Sequence, residues 1–380
     1  MESLEPVVLL GELIRIQSVN PEGDPGVSDP GEARIAVSLE KLLLDLGAKV
    51  SLREVLPGRP NVVARFPSDP SDGKNKPRLL LAPHMDTVSI VGMTINPFSG
   101  EVRDEKVWGR GASDTKGPMA AMLSALSRVR AEIPKLSHEI WFAGLVGEES
   151  GQHGAKALAS EEQFDFVIAG EPTDLKTVHA HKGSLWVTLT AHGKAIHAST
   201  PELGENAIYK MTSAVERIRE LVIPELSKAE HPLLGRSTLS VGTIRGGSKT
   251  NIVPDYCEAT LDIRIIPGTD PLQIINLIEK VAYGVQVNHQ GSTPLFTDPA
   301  HPLILKLSSL GATPTGAPWF CDAAVFAAKG IPAVALGPGS IAQAHTADEF
   351  ISIADLEDGA DFFESYLRSL SSGSRGTKTD

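Results

Sequence analysis

Thiols are scarce in this sequence. Cys257 and Cys321 are the only cysteines, too few for a disulfide framework, and they fit a reducing, cytoplasmic setting. No apolar run approaches the length of a membrane span, and the start, M-E-S-L-E-P, lacks the basic residues of a secretory signal. Positive charge is also short: 35 Lys and Arg stand against 47 Asp and Glu, a net charge of -12, with no basic cluster to offset it locally. Phosphate backbones would be repelled, which excludes nucleic acid as a partner. There is no internal repeat, and biased composition is confined to the Ser/Gly/Lys-rich tail 371–380, expected to fray.

What is present is the composition of an ordinary globular protein, 41% hydrophobic and 22% charged. A chain of 380 residues exceeds the size at which one hydrophobic core stops growing, so two domains are expected. The stretch 78–88, R-L-L-L-A-P-H-M-D-T-V, organises the rest. Leu79, Leu80, Leu81 and Ala82 form an apolar run without alternation, which suits a central parallel strand covered on both faces. The residues that follow would then lie beyond the carboxyl end of the strand, where open α/β sheets place their ligand sites. His84 and Asp86 share a side of an extended chain. His84 could bind a metal through one ring nitrogen while Asp86 accepts the N–H of the other; equally, Asp86 could open a turn at a polar strand exit.

The periodicity predicts helices over 7–16, 33–46, 116–133 and 152–159 and strands over 50–55, 61–66, 138–145 and 164–169, with surface loops at 18–31 and 67–77. That alternation argues for a doubly wound layer. After Thr173 the pattern changes. Strands at 178–191, 237–244, 257–266 and 284–289 alternate like half-exposed antiparallel strands, and helices are expected over 206–221 and 271–283. The first pattern then returns, with helices over 302–310 and 323–329, a buried strand over 332–336, and a closing helix over 356–370 preceded by a capping box of Ser352 and Asp355. An inserted α+β domain explains that order.

Four more stretches place acids or a histidine after apolar strands or in glycine-rich loops: Asp114 in W-G-R-G-A-S-D-T-K-G, Glu148 and Glu149 in V-G-E-E-S-G, Glu171 in A-G-E-P-T, and His345 in G-P-G-S-I-A-Q-A-H-T. Taken singly, Glu148 and Glu149 could be a solvated turn, Glu171 a helix cap and His345 a surface residue. Together, two histidines and three carboxylates suit Zn²⁺, with no thiolate to suggest a structural site. One shared carboxylate would hold two ions roughly 3.5–4 Å apart. Glu148 is then left over, beside a ligand and free of metal, as a general base must be.

The ordered set H-M-D-T-V, G-R-G-A-S-D-T-K-G, G-E-E-S-G, G-E-P-T and A-H-T resembles, over nearly the whole chain, a dinuclear zinc amidohydrolase and peptidase family. That family includes acetylornithine deacetylase, succinyl-diaminopimelate desuccinylase, aminoacylase and glutamate carboxypeptidase. The resemblance implies a zinc-exopeptidase-like, doubly wound α/β fold with a mixed sheet, formed by 1–177 and 293–380, and an inserted ferredoxin-like α+β lid, 178–292, through which the protein would form a homodimer. It implies two divalent ions, zinc or cobalt. His84 and Glu171 would hold one, Glu149 and His345 the other, and Asp114 would bridge them. Asp86 would orient His84, and Glu148 would act as base. In G-K-A-I-H-A-S it makes His197 an oxyanion donor, from its own subunit or the partner's. Gly246, Gly247 and Asn251 in G-G-S-K-T-N-I-V-P-D, with Arg264 in D-I-R, would grip the substrate carboxylate; Arg264 could instead pair with Asp262, and Asn251 could close a turn.

The expected reaction is hydrolysis of the amide of an N-acyl amino acid, with a dipeptidase or glutamate carboxypeptidase activity as the alternative. A binding protein that kept the fold and lost catalysis would be expected to lack a ligand or the base, and none is lacking. L-G-P-G-S-I-A-Q-A-H-T-A-D-E-F resembles the acetylornithine deacetylase branch most, while W-F-C-D-A-A at 319–324 matches no single member. His179, His181, His192, His231, His289 and His301 have no such context and read as surface or packing histidines.

Overall fold

The computed structural model describes residues 3–22, 31–69 and 76–371. Most of the loop expected at 18–31, the middle of that at 67–77 and the tail from 372 lie outside them. The chain divides into two compact units, the first formed by Met1–His179, Thr297–Thr315 and Cys321–Asp380, the second by Ala180–Phe296 and Gly316–Phe320. Among the described residues no helix is long and apolar enough to cross a membrane.

Arg78–Pro83 is the central strand of the first unit, buried from Leu79 onward. Glu139–Gly144 lies parallel to it on one side and Phe166–Gly170 parallel on the other. Successive strands of the chain therefore sit on opposite sides of it, and such a switch opens a crevice at the carboxyl ends. Ala333–Ala335 extends the parallel part beside Phe166–Gly170. Arg59–Arg65 and Lys49–Leu56 add antiparallel strands at the other edge, which makes the sheet mixed. Leu79, Leu81, Phe142 and Ile168 share one core with Leu10 and Ile14 of helix Pro6–Arg15, Leu39 and Leu43 of Ala33–Asp45, Met122 and Leu126 of Lys116–Arg128, and Phe363 and Leu367 of Ile353–Ser369.

Several boundaries differ from the sequence reading. The helix expected over 116–133 stops at Arg128, and a 3-10 turn, Ile133–Lys135, takes Pro134, which has no N–H for an α-helical bond. The strand expected over 178–191 is two, Thr177–His181 and Gly183–His192. Gly183 stands where a Cβ would come within 2.6 Å of the Ser292 carbonyl oxygen, the kind of close approach that strand glycines permit. The last helix starts at Ile353, because Ser352 Oγ accepts the Asp355 N–H at 2.9 Å and so caps it a turn early. A hairpin, Glu101–Arg103 with Lys106–Trp108, went unforeseen: its turn residues Asp104 and Glu105 both adopt positive φ without glycine. Phe350–Ser352 joins it as a third strand.

The second unit has a four-stranded antiparallel sheet in the order Thr238–Gly246, Tyr256–Ile265, Gly183–His192, Gln286–Ser292. Burial along Tyr256–Ile265 alternates residue by residue, so one face is covered. Helices Ala207–Leu226 and Pro271–Val281 cover it through Met211, Ile218, Ile275 and Ile278, which share a core with Leu185, Val187 and Leu189 of one central strand and Leu261 and Ile263 of the other.

A buried ion pair links the amino-terminal segment to the sheet. The Arg59 guanidinium grips Glu32 through two bonds of 2.7 Å, and Glu32 also accepts the Gly147 N–H at 3.1 Å. Arg59→Met should destabilise the protein by about 3–5 kcal/mol, since it leaves a buried carboxylate uncompensated. Urea denaturation measures this; a change under about 1 kcal/mol would mean that Glu32 finds another partner.

Candidate metal centre

The strand exits of the first unit converge. His84 follows Pro83 directly, is buried, and places Nε2 at 3.1 Å from Asp114 Oδ1. The other oxygen of Asp114 lies 3.3 Å from His345 Nε2, which is itself 3.2 Å from Glu149 Oε2. Asp114 thus gives one oxygen to each histidine. Two trios result, His84 with Asp114 and Glu171, and Asp114 with Glu149 and His345, the potential ligand atoms of each lying within 4.8 Å of one another. A third, overlapping trio is His84 with Glu148 and Glu149.

Local structure explains the placement. Thr115 Oγ1 donates to the His84 carbonyl oxygen at 3.1 Å, tying the Asp114 loop to the central strand. Gly117, in the first turn of the helix after Asp114, leaves room for the Ala112 carbonyl oxygen, which a Cβ would strike. Lys116 is buried and donates to the Leu13 and Ile16 carbonyls at 3.0 and 2.7 Å, so it satisfies the carboxyl end of helix Pro6–Arg15. The turn bearing Glu148 and Glu149 is stapled by Asn61, whose Oδ1 accepts the Val146 N–H and whose Nδ2 donates to the Gly154 carbonyl.

Asp86 serves that turn as well as His84. Its Oδ1 and Oδ2 accept the N–H groups of Glu148 and Glu149, each at 3.1 Å, and Oδ2 also accepts from Asn20 Nδ2 at 2.7 Å. His84 Nδ1 lies 2.9 Å from the backbone oxygen of Asp86 and 3.4 Å from its carboxylate. The expected orienting contact is therefore made chiefly by the main chain. Asp86→Ala should weaken divalent-ion binding about 10–100-fold, as loss of an outer partner does; calorimetric titration with Co²⁺ would show it, and unchanged affinity would reduce Asp86 to a packing role.

The electrostatics follow from burial without compensation. Burial pushes Glu148 and Glu171 well above the ordinary carboxylate range, with repulsion from neighbouring carboxylates adding to it. Burial and then Asp114 lift Glu149 to about 7, and burial lifts Asp322 to about 7. Asp114 goes the other way: despite burial, hydrogen bonds from His345 and His84 hold it well below the usual range. The same bonds, to Asp114 first and Glu149 second, raise His345 to about 10. Burial opposes protonation of His84, yet Asp114 and Asp86 raise its pKa well above the ordinary imidazole value.

These residues fit a pair of divalent cations. Two imidazoles and three carboxylates are donors such ions accept. Among the described residues Glu149 Oε1 is buried and finds no hydrogen-bond partner, an orphaned acceptor in an acidic cluster.

His197 is exposed, its Nδ1 2.7 Å from Ser199 Oγ, and its backbone bridges to Ile252. The Asn251 carbonyl accepts the Ala198 N–H at 3.0 Å, so Asn251 and His197 lie on neighbouring segments. Gly246 and Gly247 line a hollow of about 610 Å³ with Ile208, Tyr209 and Lys249. Arg264 forms a fork with Asp262, at 2.9 and 3.0 Å, the alternative that the alternating strand allowed. Of the remaining histidines, His179 and His181 are buried packing residues and His192 and His289 lie on the surface.

Sequence reasoning missed the residues that hold the site's loops: Asn20, Asn61, Arg110 and Glu349. It also missed Asp322, buried among the carboxylates. Asn61 carried a usable signal, a polar residue leading directly into the apolar run V-V-A.

The profile of Peptidase family M20/M25/M40 matches residues 80–369. Acetylornithine deacetylase of Vibrio campbellii is 30% identical over 352 residues, covering 88% of this chain and 90% of that protein. A tripeptidase from Staphylococcus aureus superposes with a TM-score of 0.77 at 25% identity, covering 97% of this chain and 98% of that one. A dinuclear metal-binding peptidase from Bacillus subtilis shares the fold, with a TM-score of 0.64 at 13% identity over 96% of this chain and 97% of that one.

Proposed function

Since this chain belongs to peptidase family M20/M25/M40 and is a hydrolase, we propose that it cleaves the amide of an N-acylated amino acid, using two divalent ions, with zinc as the physiological metal. The observation that carries the reading is Asp114, which offers one oxygen to each of two ligand trios beside a spare buried carboxylate, Glu148. In this reading His84 and Glu171 would hold one ion and Glu149 and His345 the other, with Asp114 a ligand to each. Divalent cations held there would supply Lewis acidity toward the scissile carbonyl and toward water near neutral pH. Glu148 takes the proton of the attacking water and returns it to the leaving amine. Asp86, Asn20 and Asn61 keep the Glu148 turn in place.

The roles of the second unit belong to the same proposal. His197 donates to the oxyanion, from its own or a partner subunit, a contribution of about 3–4 kcal/mol for a well-placed donor. Gly246, Gly247 and Asn251 receive the substrate carboxylate, and Arg264 joins them by exchanging Asp262 for it. The protein then works as a cytoplasmic homodimer paired through this unit, and sedimentation at twice the chain's mass would test that.

The deacylase choice is supported by the acetylornithine deacetylase relatives at 30% identity; the tripeptidase likeness favours a peptidase as the second reading. Assay of N-acetylornithine, other N-acetyl and N-succinyl amino acids, and dipeptides with added Zn²⁺ or Co²⁺ separates the two. Higher kcat/KM for dipeptides than for every N-acyl amino acid would overturn the deacylase reading.

A further inference from the structure

Within T-A-D-E-F, the segment after His345, Glu349 is an acid with no solvent to face. Its side chain is 1% exposed and accepts four hydrogen bonds. Oε1 takes the N–H groups of Ser113 and Asp114 at 2.9 and 3.0 Å. Oε2 takes the Gly111 N–H at 2.9 Å and Arg110 Nη1 at 2.8 Å. The contact is doubled by main chain: the Gly109 N–H reaches the Glu349 carbonyl at 3.0 Å, and Ser113 Oγ reaches the Phe350 carbonyl at 2.8 Å.

These bonds join two loops, neither of which lies in a strand. Asp114 sits in an irregular glycine-rich segment, and His345 follows a short 3-10 turn in a left-handed conformation, φ 62°. His84 and Glu171, by contrast, directly follow the hydrogen-bonded strands Arg78–Pro83 and Phe166–Gly170. One carboxylate, with these main-chain bonds and the pairing of Phe350–Ser352 with Lys106–Trp108, thus sets the distance between the loop of the shared ligand and the loop of His345.

We infer that Glu349 is a positioning residue that builds the second ion site, that of Asp114, Glu149 and His345, by holding the His345 loop in register with the Asp114 loop, which Thr115 Oγ1 separately ties to the central strand. This rests on the two-ion reading above. A glutamine at 349 turns one acceptor into a donor, so it must face either the Ser113 and Asp114 N–H groups or those of Gly111 and Arg110. Two of the four bonds are then lost, and the His345 loop loosens from the Asp114 loop, which stays with the strand ends through the Thr115 bond to the His84 carbonyl.

The test is binding of Co²⁺ alone to the metal-free full chain, followed by calorimetry and by the cobalt absorption bands, with His345→Ala marking which class of site is the second. For Glu349→Gln, second-site affinity should fall about 10–100-fold while first-site affinity stays within about threefold. Arg110→Gln removes one of the four donors and leaves three, so it should show a smaller loss at the same site even if Glu349→Gln does not fold. A merely structural role would lower the thermal midpoint and weaken both sites alike. Equal losses at both sites, no loss in Glu349→Gln, or an unaffected second site in Arg110→Gln each overturns the inference. Wild-type protein that binds a single class of Co²⁺ overturns the two-ion reading, and the inference with it; two classes with equal losses overturn the inference alone.

Discussion

Glu148→Gln should leave the protein folded with both ions bound, and lower kcat at least about a hundredfold, the loss that follows removal of a general base. The backbone of Glu148 is fixed by its N–H bond to Asp86 Oδ1, which the substitution does not touch. The side chain is buried, and its surroundings favour the neutral form, through burial first and repulsion from Glu171 and Asp322 after it. An amide of the same shape therefore costs the metal-free fold little, and its thermal midpoint should match or exceed that of the wild type. KM should change far less than kcat, since the lost function is proton transfer in the transition state. Metal analysis must accompany the kinetics, because His84, Glu148 and Glu149 also form a trio able to hold an ion. Loss of one ion from the variant would make Glu148 a ligand; near-normal kcat with both ions bound would make it a bystander.

The parts of this site readable from sequence are those whose chemistry is local. A short apolar run followed by His84 and Asp86, and acids placed directly after glycine, stand out because strand exits and tight turns leave composition marks within a few residues. Parity along the extended chain also put the His84 ring and the Asp86 carboxylate on one side, and they are 3.4 Å apart. It could not show that the carboxylate would be engaged by the Glu148 and Glu149 N–H groups, whose position depends on how Glu139–Gly144 lies against Arg78–Pro83. Arg110 and Glu349 show the limit more plainly. They pair across 239 positions, and nothing near either distinguishes a charge that will be buried against a distant partner from one that stays in water. The hairpin at Asp104 and Glu105 escaped for another reason: its turn has Glu105 at a positive φ where glycine is usual, so the Asp-Gly signal is missing.

Ion binding at the second site should strengthen steeply with pH, with a change of slope near neutrality. A ligand must shed its proton before it binds metal, so protons compete with the ion. Asp114 is already ionised, while Glu149 keeps its proton to about 7 and His345 to about 10 in the metal-free protein. Two protons leave per ion below about 7 and one between about 7 and 10, so the apparent Kd should fall about a hundredfold per pH unit in the lower range and about tenfold per unit in the upper. Co²⁺ calorimetry in buffers of differing ionisation heat, at about pH 6 and about pH 8.5, counts the protons; equal release at both would refute the assignment. The same groups set the stability of the metal-free protein. Glu149 and Asp322 rise to about 7 from ordinary values of 4.5 and 3.8, so over that interval the folded state binds more protons than the unfolded one. Stability must then fall as pH rises from about 4.5 to about 7. His345, raised from 6.5 to about 10, continues that trend above neutrality, but there Lys116, lowered from 10.5 to about 7 by burial, opposes it. In the lower interval the opposing groups are His138 and His301, lowered from 6.5 by burial, against which Glu148 and Glu171, raised well above 4.5, act together with Glu149 and Asp322. In that interval the thermal midpoint of the metal-free chain should decline with pH while the gain on adding Co²⁺ grows, because each proton lost removes a competitor from the site. A metal-free midpoint that rises between about pH 5 and about pH 7 would mean that these carboxylates are not crowded together in solution.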